Sequence, residues 1–199
     1  MSDVLAIAFS TAAYGVLHSL LASTLVKSWF RTRLGPPVDR FYRLAYNLFA
    51  IVSFLPIFAL LIWRPGVVLY RLGFPWIAVL VAGQLVFVGL LVIGLLQMDP
   101  RSFLGLRQLR GAPPAPSRLV TTGLHQWTRH PLYTAGLFLI WLTPVMTSGV
   151  LALNLMLTLY VVVGSRLEER RLVAKFGAPY EDYQRRVPSL FPVRPPSHR

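Results

Sequence analysis

The sequence predicts an all-α integral membrane bundle of five transmembrane helices. The last two form a helical hairpin, and a cytosolic C-terminal helix follows. Three observations carry this. The 199 residues are 55% hydrophobic and only 14% charged, where a soluble domain carries about 25% charge. The apolar residues fall in long runs free of charge. The basic residues lie between those runs, and on alternate sides.

Residues 4–26 contain no charge. As a helix they span about 34 Å, enough to cross a hydrocarbon core of about 30 Å. Residues 44–63 form a second run, with Pro56 inside it, and residues 72–98 a third. Residues 131–165 form a fourth run, too long for one crossing, and it contains the breaker cluster of residues 143–149. It is read as two helices with their turn at Gly149. Asp3, rather than a basic segment, precedes the first run, so no cleavable signal peptide is expected.

Of the 20 Lys and Arg residues, 18 lie in alternate inter-run segments and in the tail. The positive-inside rule puts those segments and the C-terminus in the cytosol and the N-terminus outside. In a bacterium the membrane would be the inner one. The net charge of +13 is therefore assigned to topology and lipid headgroups; no nucleic-acid motif accompanies it. The chain has no cysteine, which excludes disulfides, thiolate metal sites and a cysteine nucleophile. No metal site is expected.

Three parts are expected: residues 1–110 with three helices and basic loops, a Pro-rich connector at 111–118, and a C-terminal region at 119–199 that carries most of the unusual polar residues. A hairpin with equal arms about Gly149 returns to the face it left. Arg129, His130 and Tyr133 should then lie near Arg166, Glu168 and Glu169. Helix-surface pairs are the plainer alternative, Glu168 with Arg171 and Glu169 with Arg166.

The sequence pattern bears on that choice. Gly123-Leu-His125-Gln-Trp-Thr-Arg129-His130-Pro131-Leu-Tyr133 is followed by Glu168-Glu169-Arg-Arg-Leu172, then Phe176-Gly177-Ala-Pro-Tyr180-Glu-Asp-Tyr183 and Val187-Pro188. These elements resemble the integral-membrane methyltransferase superfamily. Its members include isoprenylcysteine carboxyl methyltransferases, phospholipid methyltransferases, methanethiol S-methyltransferases and NnrU-type proteins. The resemblance covers residues 119–192. Phe103-Leu-Gly-Leu-Arg-Gln108 and Thr143-Pro-Val-Met-Thr147 are most similar to the methanethiol branch. Two positions depart from the usual pattern: His125 replaces an aromatic residue, and Ala135 replaces a glycine.

The resemblance implies S-adenosyl-L-methionine as methyl donor and a small or lipophilic acceptor, most simply a thiol. A lipid amine or an isoprenylcysteine-type carboxylate are the alternatives within the class. It implies cofactor contacts at Gly123, Arg129, His130, Pro131, Tyr133, Glu168 and Glu169. Carboxylates suit ribose hydroxyls, the first turn of a helix starting at Pro131 suits an anion, and His130, Tyr133 or Trp127 offers a face to adenine. Arg166, Glu169 and His125 are the candidates for charge stabilisation or proton transfer at the acceptor.

In the first run, Thr11, Tyr14 and His18 share one helix face. A polar stripe in a membrane helix faces the bundle interior, so Tyr14 and His18 are candidate acceptor-pocket residues, with Gln84 and Asn154 as candidate interhelical partners. Beyond Phe176 a short interfacial helix is expected, ordered to Pro192 because Tyr180, Tyr183, Leu190 and Phe191 need cover. Two readings from other classes stay open: a haem-binding redox subunit and a non-enzymatic NnrU-like membrane protein. The first would need paired axial histidines, and only His18 lies deep in a span.

Overall fold

A computed structural model describes residues 2–111 and 118–192. The chain is mostly α-helical. Four helices are long and apolar enough to cross a membrane among the described residues: α1 (Ser2–Ala22), α3 (Pro37–Trp63), α4 (Trp76–Gln97) and α8 (Ser148–Phe176). Between them lie α2 (Thr24–Leu34), α5 (Pro100–Leu104), α6 (Leu106–Leu109) and α7 (Pro131–Trp141), and α9 (Ala178–Arg186) follows. Two short strands, β1 (Val68–Arg71) and β2 (Val145–Thr147), pair. Phe9, Leu48, Ile51, Leu85 and Leu96 are among many large apolar side chains left exposed on the long helices. Such a surface is that of a membrane protein, with lipid as its solvent. Most of the Pro-rich connector, residues 112–117, lies outside the described residues, as does the chain beyond Pro192.

The described residues form two compact units, each drawn from three stretches of chain. One takes 2–70, 98–111 and 146–157; the other takes 71–97, 118–145 and 158–192.

In the first unit the uncharged run 4–26 does not form one helix. Ser23 ends α1 and starts α2. Its Oγ accepts a hydrogen bond from the Val26 N–H at 3.3 Å and donates to the Leu20 carbonyl at 2.6 Å. A serine whose hydroxyl serves a free N–H is a strong helix N-cap. The basic segment beyond it is thus helical. Two of its arginine neighbours on α3 hold the chain that follows the third long helix. Arg40 Nε donates to the Leu109 carbonyl at 2.6 Å and Arg43 Nε to the Phe103 carbonyl at 3.1 Å. Asn47 Nδ2 joins it on Phe103 at 3.0 Å. The packed centre is Ile7, Ile57, Ala152 and Leu153, with Val4, Tyr14 and Phe54 against it.

Gly149 is not the apex of the turn. It sits in the first turn of α8, and the reversal falls earlier, over residues 142–147. Its value is close approach. A Cβ there would stand 2.8 Å from the Pro65 carbonyl oxygen, 2.8 Å from Ile7 Cδ1 and 3.1 Å from Leu61 Cδ1. Its N–H donates to that same Pro65 carbonyl at 3.0 Å. The backbone oxygen cannot rotate away, so Gly149→Ala should cost about 1–3 kcal/mol, the usual range for an overpacked site. Thermal unfolding in detergent measures it; an unchanged midpoint would mean that the approach is not tight.

In the second unit α4 packs on α7 through glycines. Gly94 receives Leu132, whose Cδ2 would lie 2.7 Å from an added Cβ, and Gly83 receives Leu142 at 3.1 Å. Lipid offers no hydrophobic drive between helices, so close backbone approach at small residues supplies the packing. Ala135, small where the family pattern has glycine, is buried.

The two arms of the expected hairpin are unequal. α7 has 11 residues and α8 has 29. At about 1.5 Å per residue α7 covers about 16 Å. The non-helical stretch 142–147 extends the short arm at about 3.3 Å per residue, and this lets α7 and the far part of α8 meet at one level. His18 Nε2 lies 2.7 Å from the Tyr46 hydroxyl of α3, while Gln84 Nε2 donates to the Leu139 carbonyl at 3.4 Å.

Candidate active site

The polar cluster lies wholly in the second unit. It is built from the residues before and within the first turn of α7, the basic stretch of α8, α9 and the segment after it. Gly123 opens the approach, at φ +65° and with Gln97 filling the space of a side chain. A 3₁₀ turn, Gly123–Gln126, follows. Pro131 then occupies the first position of α7, where its missing N–H leaves no bond unmade.

Glu169 is the hub. Arg129 reaches it with Nε at 2.9 Å and Nη2 at 2.7 Å from Oε1, and with Nη2 at 2.9 Å from Oε2. His130 Nε2 lies 3.1 Å from Oε1. An ionised carboxylate only accepts, so Nε2 carries the proton. Ser189 Oγ donates to Oε1 at 2.8 Å and Gln184 Nε2 to Oε2 at 3.0 Å. A carboxylate has about four acceptor sites. Glu169 has filled them, and its side chain is 13% exposed.

Glu168, its neighbour, is differently placed. Its side chain is 42% exposed. Tyr133 Oη donates to Oε2 at 2.9 Å, and His130 Nδ1 stands 3.9 Å from the same oxygen. The rings of His130 and Tyr133 stack at 5.3 Å and 15°. His130 is buried beneath the half-exposed ring of Tyr133. The cluster therefore has a closed core on Glu169 and an open face on Glu168 and Tyr133.

The segment after α9 locks this core. The Arg129 N–H donates to the Pro188 carbonyl at 2.9 Å and the His130 N–H to the Ser189 carbonyl at 3.1 Å. Thr128 Oγ1 donates to the Ser189 carbonyl at 2.6 Å, and Thr134 Oγ1 bonds the Leu190 carbonyl. Arg129 also donates to the Gln184 carbonyl at 3.0 Å and to that of Val187. Tyr180 and Tyr183 bury their rings in α9, and Tyr183 Oη donates to the His125 carbonyl at 2.6 Å. Burial pushes the Tyr180 phenol up to about 12, with the nearby Glu169 charge adding to it. Burial also raises Tyr183.

His125 turns its Nδ1 into the protein, where it has no hydrogen-bond partner among the described residues. Burial lowers its pKa, and the neighbouring His130 lowers it further. Arg166 is exposed and takes no part in the cluster. Tyr14 and His18 belong to the first unit, where Tyr14 packs edge-on to Phe54 at 5.3 Å and tilts over His18 at 5.5 Å. The residues that sequence reasoning missed are Thr128, Gln184 and Ser189. Their only signal was nearness to the Arg129-His130 and Val187-Pro188 elements.

A family described as a protein of unknown function, DUF1295, matches residues 39–187. The chain belongs to the DUF1295 family. This DUF1295 chain is 34% identical over 194 residues to methanethiol S-methyltransferase 1 of Bradyrhizobium diazoefficiens, covering 92% of itself and 65% of that protein. It is 30% identical over 191 residues to the methanethiol S-methyltransferase of Crocosphaera subtropica, covering 90% of itself and 71% of the relative. With the Pseudomonas deceptionensis methanethiol S-methyltransferase it shares 34% over 189 residues, 90% of itself and 69% of that chain. The DUF1295 chain thus spans about two thirds of the length of these relatives. With them it falls in the membrane methyltransferase superfamily that its motifs resemble. No solved structure matches it.

Proposed function

We propose that this protein is a membrane methyltransferase that moves a methyl group from S-adenosyl-L-methionine to a small thiol, in the manner its relatives' names describe. The observation that carries the reading is the meeting of the two motifs: Tyr133 on Glu168, and Arg129 and His130 on Glu169. Residues 35 to 40 apart in the chain form one polar cluster in a protein otherwise made to face lipid.

The residues on the open face suit the donor. Glu168 keeps acceptor sites for ribose hydroxyls, and the flat His130–Tyr133 pair suits an adenine ring. The start of α7 at Pro131, a helix N-terminus, suits a carboxylate. Arg129 and Glu169 are spent on each other and on the tail, and we assign them to positioning rather than to contact. The sulfonium supplies an already activated methyl group. What is asked of the protein is alignment and exclusion of water. The thiol must shed its proton as its sulfur bonds carbon, and the His125 imidazole is the acceptor we assign. Arg166 stays available to an anionic acceptor from outside the cluster.

In this reading α7 with the extended residues 142–147 makes the fifth crossing. The alternation of basic segments supports it, and supports a cytosolic side for the cluster and C-terminus. The acceptor pocket at Tyr14 and His18 remains a proposal, tested by whether His18→Ala changes the choice of acceptor.

The experiment offers the purified protein a deuterated-methyl donor with thiols, lipid amines and carboxylic acids. A labelled thioether is expected. Label on an amine or acid instead would overturn the choice of acceptor. A protein that fails to bind S-adenosylhomocysteine in calorimetry would overturn the methyltransferase reading and favour the non-enzymatic one.

A further inference from the structure

The first unit carries a concave apolar surface that the methyl-transfer reading does not use. It is a groove of about 430 Å³ lined by Leu21, Phe30, Leu34, Phe41, Ala45 and Phe49, among others. It lies where the end of α1, α2 and the start of α3 come together. Its volume is in the range of ligand sites, about 300–1,000 Å³. Two tyrosines also line it, yet their hydroxyls turn to the protein: Tyr42 donates to the Leu21 carbonyl at 2.6 Å, and Tyr46 bonds His18 at 2.7 Å. The lining therefore suits hydrocarbon.

One wall of the groove is α2, an amphipathic helix. Leu25, Trp29 and Leu34 are exposed on it, and Lys27, Arg31 and Arg33 are its cations. A helix with Trp, Phe and Leu beside Lys and Arg lies in the membrane interface. Two of these three cations share one acid, Asp39. Lys27 Nζ is 3.4 Å from Asp39 Oδ1 and Arg31 Nε is 3.1 Å from Asp39 Oδ2. Arg33 leans instead over the Trp29 ring at 5.9 Å. The rim of an apolar groove thus keeps an excess of positive charge at headgroup level.

We propose that this groove seats an acyl chain of an anionic phospholipid, with the lipid phosphate held by the cations of α2. A chain in the groove has protein on both sides, whereas bulk lipid meets only the outer curve of a helix. The headgroup contact then selects the anionic species. The proposal rests on α1, α2 and α3 alone and stands apart from the methyl-transfer reading.

The test is native mass spectrometry of the full chain, released from detergent with equal amounts of phosphatidylglycerol and phosphatidylcholine of matched chains. Retention of phosphatidylglycerol over phosphatidylcholine is expected. Ala45→Trp, on an exposed lining position, fills the groove and should remove lipid retention. Arg31→Gln with Arg33→Gln leaves Lys27 to pair with Asp39. It should lower phosphatidylglycerol retention by about fivefold per cation removed, with phosphatidylcholine unchanged. Equal retention of the two lipids by the unmodified protein would overturn the proposal. So would full retention by Ala45→Trp, or displacement of the lipid by inorganic phosphate. Should Ala45→Trp prove unstable by thermal shift, the charge variant decides alone, and unchanged selectivity there overturns the proposal.

Discussion

Arg129→Ala is expected to destabilise the second unit by about 3–5 kcal/mol, the cost of leaving one member of a buried pair alone. Both side chains of the pair are largely covered, at 10% and 13% exposure. The variant strips Glu169 of its forked partner. It also frees the Gln184 and Val187 carbonyls that Arg129 holds. The tail should loosen with it, because the pocket that receives residues 187–190 is organised by the same guanidinium. Thermal unfolding and limited proteolysis after Phe176 check both effects. Lysine should not rescue, since an ammonium cannot span both carboxylate oxygens. An unfolding midpoint and cleavage pattern like those of the unmodified protein would remove Arg129 from its positioning role.

Glu168→Ala should do the opposite. It removes a partly exposed carboxylate whose one close donor is Tyr133, so thermal stability should hardly move. Affinity for S-adenosylhomocysteine should fall by about 10- to 100-fold, the worth of hydrogen bonds to a charged group. Tyr133→Phe should show a smaller loss in the same direction. Calorimetry on stable protein separates the two glutamates. If Glu169→Gln weakened binding at full stability while Glu168→Ala left it intact, the roles assigned to the pair would be exchanged.

That contrast marks what could be read from the chain alone. The Arg129-His130-Pro131-Leu-Tyr133 and Glu168-Glu169 elements declared a shared site, and they do meet. Neither the motif nor the spacing told the two glutamates apart. Adjacent residues on a helix point about 100° apart, and which one turns inward depends on what packs there. Here that is the returning segment with Ser189, invisible to any local pattern. The apolar runs declared the long helices but not their ends. Ser23 splits the first run because its hydroxyl caps α2, a choice hydropathy does not register. The breaker cluster of residues 143–149 and the equal arms about Gly149 make that glycine look like the turn itself. Its real constraint is the Pro65 carbonyl from a distant stretch. The short length of α7 follows from Pro144 and the strand after Trp141, where a composition count sees only more apolar sequence.

The dependence of Glu169 on Gln184 and Ser189 also orders events during biosynthesis. The four long helices among the described residues are translated before those two residues leave the ribosome. The helices can therefore enter the bilayer while the carboxylate still lacks part of its set of donors. Maturation of the site would then be a separate, late step on an already inserted scaffold, and a nascent chain halted before Gln184 would be membrane-bound but incompetent.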